Sequence, residues 1–242
     1  MKSTKPDARV ADLVRNGKLR VGLFPSFFYS TATSTGKLQG VGIEIATALA
    51  AWVGVDLMLL EYPSPPAVVK ALKAGNCDVA FLGLDPARAA EVDFTPPYIQ
   101  ADFTLLVPED SSIASIDDAD KGGTRIAVVR NHAMESALKG KLNSAERILA
   151  ETPDAAFGLL RSRDANVLAG IRPGLLKYAT LMPGSRVLED SYGVNVLALS
   201  VAKGQPELLR YLSDFVEYAR TTGLVRRAIE SAGLHGIQAV TR

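Results

Sequence analysis

Along this chain, apolar positions alternate between a helical spacing and short, nearly continuous runs, and that alternation is the first guide to its fold. Val10, Leu13 and Val14 mark one helix face within 7–16, and Gly17 follows, a residue free to take the left-handed conformation that closes a helix. A strand is expected over 19–24. The polar stretch 30–40 reads as a loop, 43–53 returns to helical spacing with Gly54 as its stop, and 55–62 is the next strand. Pro65 and Pro66 open a helix running to 74, because proline lacks only the N–H that would be unpaired there. The almost wholly apolar run 77–82 is the pattern of a strand covered on both faces. Asp85 and Pro86 then read as the N-cap and first residue of a short turn over 87–90.

A strand over 101–107 and a polar stretch over 108–123 lead into a second series with the same rhythm. Strands are expected over 125–129, 146–150 and 165–168, with helices over 133–142, 153–161 and 173–179. A last strand over 195–202 and two helices, one after Pro206 and one over 224–232, close the chain. Two series of βα units predict an α/β protein of two doubly wound lobes. In such sheets ligands gather outside the carboxyl ends of the strands, which makes Phe24, Tyr62 and Gly83 candidates by position.

Composition removes several classes of function. The 27 Lys and Arg against 26 Asp and Glu leave a net charge of +1, without the clustered positive charge that a nucleic-acid surface requires. One cysteine, Cys77, and two histidines, His132 and His235, cannot assemble a zinc motif or an internal disulfide, so no metal and no cofactor are expected. Cys77 opens an apolar strand and reads as a buried, inert thiol. The apolar stretch 43–60 is interrupted by Glu44, Thr47, Gly54 and Asp56, too polar for an uninterrupted membrane span. Met1 to Pro6 contain no apolar leader segment, which leaves two expectations: a cytosolic protein, or one whose signal has been removed. Gly40 and Gly42 are followed by Ile45 where a dinucleotide fingerprint needs its third glycine, and no G-x-S-x-G elbow presents a serine.

The segment 75–98 contains an apolar strand, then Asp85, Pro86, Ala87 and Arg88, then Val92, Asp93, Phe94, Thr95, Pro96, Pro97 and Tyr98. This resembles the polar-amino-acid class of bacterial extracellular solute-binding proteins, family 3, in which a turn with Pro-x-Arg precedes V-D-F-[ST]-x-P-Y. Gly40, Glu44, Ile45, Leu49 and Ala50 fit a second signature of the family, while Val41 and Gly42 depart from it. The resemblance runs from Gly17 to Ala232. It implies type II periplasmic-binding-protein architecture, with lobe 1 formed by 1–101 and 196–242, lobe 2 by 102–195, and a ligand held between them by hinge closure. It also implies a monomer in the periplasm serving an ABC transporter permease of the inner membrane.

Carried over residue by residue, the resemblance gives Arg88 the ligand carboxylate, which a planar guanidinium meets with two parallel hydrogen bonds. It places aromatic ligand walls among Phe24, Phe27, Phe28 and Tyr29 and leaves Gly83 to act through its backbone. Asn131 and His132 stand where the family has a second-lobe anion loop. The family commonly has an aspartate for the ligand's ammonium five residues after the position of Asp164; here that position is Ala169, and Arg172 adds positive charge instead. The combination points to a small carboxylate, with a mono- or dicarboxylate fitting better than an ordinary α-amino acid. Two other functions are carried beside it: a cyclohexadienyl-dehydratase-like lyase, for which 169–173 offer no general acid, and the ligand-sensing domain of a receptor.

Overall fold

The computed structural model describes residues 7–24, 26, 31–32, 38–130 and 133–240. The chain divides into two compact units, one made of Met1–Ile99, Val196–Leu234 and Gln238–Arg242, the other of Gln100–Asn195 and His235–Ile237. Each contains strands and helices packed around its own core.

In the first unit the strand Lys18–Leu23 lies between two parallel neighbours, Asp56–Glu61 and Val79–Gly83. Val79–Gly83 in turn pairs antiparallel with Gly193–Ala202, setting Leu197 opposite Gly83. The short strand Val92–Phe94 pairs with the far end of Gly193–Ala202. Helix Val41–Val53 ends at Gly54, whose φ of +82° few other residues tolerate. Helix Pro65–Lys73 buries Val68, Val69, Ala71 and Leu72 against Cys77, Ala80 and Leu82. The apolar run expected over 77–82 is therefore a covered strand, although its antiparallel neighbour makes the sheet mixed.

In the second unit the strands run Ile99–Val107, Val167–Ile171, Arg125–Val129, Glu146–Ala150 across the sheet. The last three are mutually parallel, and Ile99–Val107 is antiparallel to Val167–Ile171. Alternate residues feed two cores. Phe103, Leu105, Ile126, Val128, Val167 and Ala169 belong to one, and Leu106, Ala127, Val129 and Leu168 to the other, as the two-residue period of a strand requires.

One strand lies later than its sequence pattern predicts. The segment expected over 165–168 forms Val167–Ile171, because Ala169 and Gly170 pair with Leu105 and Thr104 across the antiparallel ladder. Gly170 lies close against Leu175 of the following helix. A Cβ at this position would sit 2.8 Å from Leu175 Cδ2, so the missing side chain lets helix Arg172–Thr180 pack onto the strand that precedes it.

Candidate functional site

At the carboxyl edge of the first unit's parallel strands, three ends lie side by side. Lys18–Leu23 continues into Phe24, Asp56–Glu61 into Tyr62, and Val79–Gly83 into the turn that carries Arg88. The turn is built as its sequence prescribes. Asp85 is extended and caps helix Pro86–Glu91, its Oδ1 accepting from Arg88 N at 3.0 Å, and Pro86 occupies the first turn, where its missing N–H costs nothing.

The same cap organises the arginine side chain. Arg88 Nη1 donates to the Gly83 carbonyl at 2.7 Å and lies 3.0 Å from Asp85 Oδ2. Nε and Nη2 make no hydrogen bond among the described residues, and the side chain is 30% exposed. One corner of the guanidinium is thus fixed by its own turn, while the Nε–Nη2 edge, the geometry that can grip a carboxylate with two bonds, is unbonded among the described residues. Gly83 contributes a carbonyl that aims Arg88.

Phe24 and Tyr62 are partly buried and pack on the cluster containing Val68, Leu72, Cys77 and Leu82. The ring of Tyr62 lies over Gly22, where an added Cβ would meet Tyr62 Cε2 at 3.4 Å and Cys77 Sγ at 3.0 Å. Cys77 is only 3% exposed, and burial pushes its thiol up to about 11. It is shielded and protonated at neutral pH, the opposite of a nucleophile's environment.

In the second unit, Ala169 is 2% exposed and sits in the core beside Val167 and Phe103. The strand end belongs to Ile171, two residues later, and it too is apolar. Arg172 is not an unmatched positive charge. Its Nε lies 3.3 Å from Asp102 Oδ2, its Nη1 donates to the Leu188 carbonyl and its Nη2 to that of Glu189, each at 2.8 Å. With 13% of its side chain exposed, Arg172 braces the segment 188–190, which Thr104 Oγ1 also holds by donating to the Leu188 and Asp190 carbonyls.

No local pattern could have revealed Asp102 as its partner. The register that sets Ile171 opposite Phe103 brings together two residues seventy positions apart. Phe27, Asn131 and His132 lie outside the described residues, as do Phe28 and Tyr29. Among the described residues, no group of His, Cys, Asp and Glu could hold a metal ion, and no helix is long and apolar enough to cross a membrane.

Two α/β units, with an anchored arginine at a strand carboxyl end of the first, give this chain the fold of the type II periplasmic binding proteins. It belongs to the bacterial extracellular solute-binding proteins, family 3, whose model matches residues 19–231. The glutamine-binding protein of Geobacillus stearothermophilus is 27% identical over 224 residues, covering 88% of this chain and 84% of that protein. The crystal structure of an ancestral amino acid-binding protein, described as a precursor of cyclohexadienyl dehydratase, is 27% identical with a TM-score of 0.74, covering 93% of this chain and 99% of the other. The virulence sensor protein BvgS of Bordetella bronchiseptica is 24% identical over 179 residues, 72% of this chain but 14% of that protein.

Proposed function

We propose that this chain is the substrate-binding component of an ABC-type transporter and captures a small carboxylate-bearing solute, amino-acid-like or an organic acid. Family membership supports the transport role, and the relatives named for glutamine and for amino acids support a small solute that bears a carboxylate. The observation that carries the carboxylate is Arg88, held through Nη1 by Gly83 and Asp85 with its Nε–Nη2 edge unbonded among the described residues. A preorganised fork loses little side-chain freedom when it takes its ligand.

In this reading the solute first docks on Arg88 of the first unit, beside Phe24 and with Phe27 as a further wall. Closure of the second unit, which carries Asn131, His132 and Arg172, completes capture. Gly83 aims the arginine, Tyr62 backs the wall, and Arg172 acts by bracing the segment 188–190. The protein works without a cofactor, as a periplasmic monomer that delivers its solute to an inner-membrane permease. It binds without converting the solute, in keeping with an apolar residue, Ile171, where a lyase on this scaffold would need a general acid.

A thermal-shift screen over amino acids, monocarboxylates, dicarboxylates and uncharged sugars tests the assignment. At 100 times its dissociation constant a true ligand stabilises by roughly 2.7 kcal/mol, which raises the melting temperature of a chain this size by roughly 5–10 °C. Shifts confined to carboxylates are expected. A shift with the sugars and none with any carboxylate would contradict the reading.

A further inference from the structure

Within the second unit, the stretch between the strands Ile99–Val107 and Arg125–Val129 folds back as a strap. Ile116 and Ala119 are buried and Ile113 partly so, all packed in the cluster that holds Phe103, Val128 and Leu142. Its helix, Ile116–Ala119, is four residues long, too short to hold itself, so ties to other segments matter. Arg186 Nη2 donates to the Ser111 and Ile113 carbonyls at 2.8 and 3.2 Å, and Ile116 N donates to Asp190 Oδ2 at 2.7 Å. The tie at the far end is the densest. Asp120 Oδ1 accepts from Ser144 N at 2.6 Å and from Asn143 N and Ala145 N at 3.0 Å, and Oδ2 accepts from Asn143 N at 3.0 Å.

Three successive backbone amides converging on one oxygen make a nest that binds an anion without a cation, and here the anion is a carboxylate of the same chain. These amides hold the Asp120 carboxyl below the usual carboxylate range. Asn143 and Ser144 are exposed, so water can satisfy their amides whenever the carboxylate leaves, which makes the tie reversible. We propose that residues 143–145 form a carboxylate site whose resident is Asp120, and that this latch holds the strap 111–120 closed over the second unit's core. The latch lies wholly within one unit and does not depend on Arg88. Its charged neighbours in sequence are Asp117, Asp118 and Lys121 on the strap and Lys141 and Glu146 beside the amides, with Arg186 and Asp190 on the third segment. Lys121 is engaged by Asp118 Oδ1 at 3.1 Å. Because folding lowers the Asp120 carboxyl, its contribution is complete at neutral pH and is lost as pH falls below roughly 4, so the latch opens in acid.

Amide hydrogen exchange read by mass spectrometry tests the latch in the parent protein, Asp120→Ala and Asp120→Asn. In Asp120→Ala, protection over 111–120 and over 143–145 is expected to fall together by about tenfold or more, while the strand Val167–Ile171 keeps its protection. Formate has the size and charge of the group that alanine lacks, so added formate should restore protection in Asp120→Ala. It should not do so in Asp120→Asn, whose amide fills the same space without the charge. Formamide, and chloride at equal ionic strength, should restore neither. In the parent, protection over the same two segments, corrected for intrinsic exchange, should drop between pH 7 and pH 3 by more than it does in Asp120→Asn. Parent-like protection at neutral pH in both variants would overturn the latch. So would a loss that formate leaves unchanged or that formamide restores equally, since either outcome describes a side chain that only fills space.

Discussion

Arg88 has two differently engaged halves. Nη1 serves the fold, through Gly83 and Asp85, while Nε and Nη2 make no hydrogen bond among the described residues. Ala169 shows the reverse case, a position whose small apolar side chain is wholly committed to packing. Ala169→Asp would place a carboxylate in the core beside Phe103 and Val167, at a cost of roughly 3 kcal/mol or more. A fall in melting temperature of roughly 10 °C is expected in a circular-dichroism scan. An unchanged melt with altered solute affinity would show that residue 169 faces the ligand after all. Arg88 was legible in the sequence because Asp85 and Pro86, an N-cap and first-turn pair right after an apolar run, fix where it stands. The end of this strand was set too early, at 168 rather than Ile171, because a run of Ala and Gly carries little strand signal of its own, and its register comes from Leu105 and Thr104 on a distant segment.

Among the elements, helix Pro86–Glu91 depends most on its cap. It has six residues and buries none of them, so apolar packing contributes little to holding it. The Asp85 carboxylate both caps the helix and braces Arg88. Asp85→Ala is therefore expected to cost about 1 kcal/mol of stability, and to weaken solute binding severalfold by releasing Nη1. Asp85→Asn keeps the cap and should recover most of the stability, as paired melting and titration experiments would read. Equal affinity in Asp85→Ala and the parent protein would mean that Arg88 needs no brace. The strand that follows Arg163 illustrates the limit of element-level reading. The helices on either side were legible from their apolar spacing and prolines, whereas the pairing of Arg172 with Asp102 depends on sheet register, which no local window contains.

For the whole molecule, the net charge of +1 averages over charges that are engaged differently. The first unit carries an arginine with one edge unbonded among the described residues, while in the second Arg130 pairs with Glu151, Lys139 with Glu135 and Arg172 with Asp102. Two cores on the faces of the second unit's strands make that unit a well-packed body. The βα rhythm and the family signature were legible from end to end because each rests on local patterns, and the family model matches residues 19–231 accordingly. Charge balance was not, because it depends on which side chains meet. The central claim is that Arg88 receives a solute carboxylate, and isothermal titration of 3-phenylpropanoate and leucine into the parent protein, Arg88→Lys and Arg88→Ala tests it most directly. The expected result is saturable binding in the parent, a loss of at least tenfold in Arg88→Lys, which keeps the charge but not the fork, and no measurable binding in Arg88→Ala. Full affinity in Arg88→Ala would contradict the account.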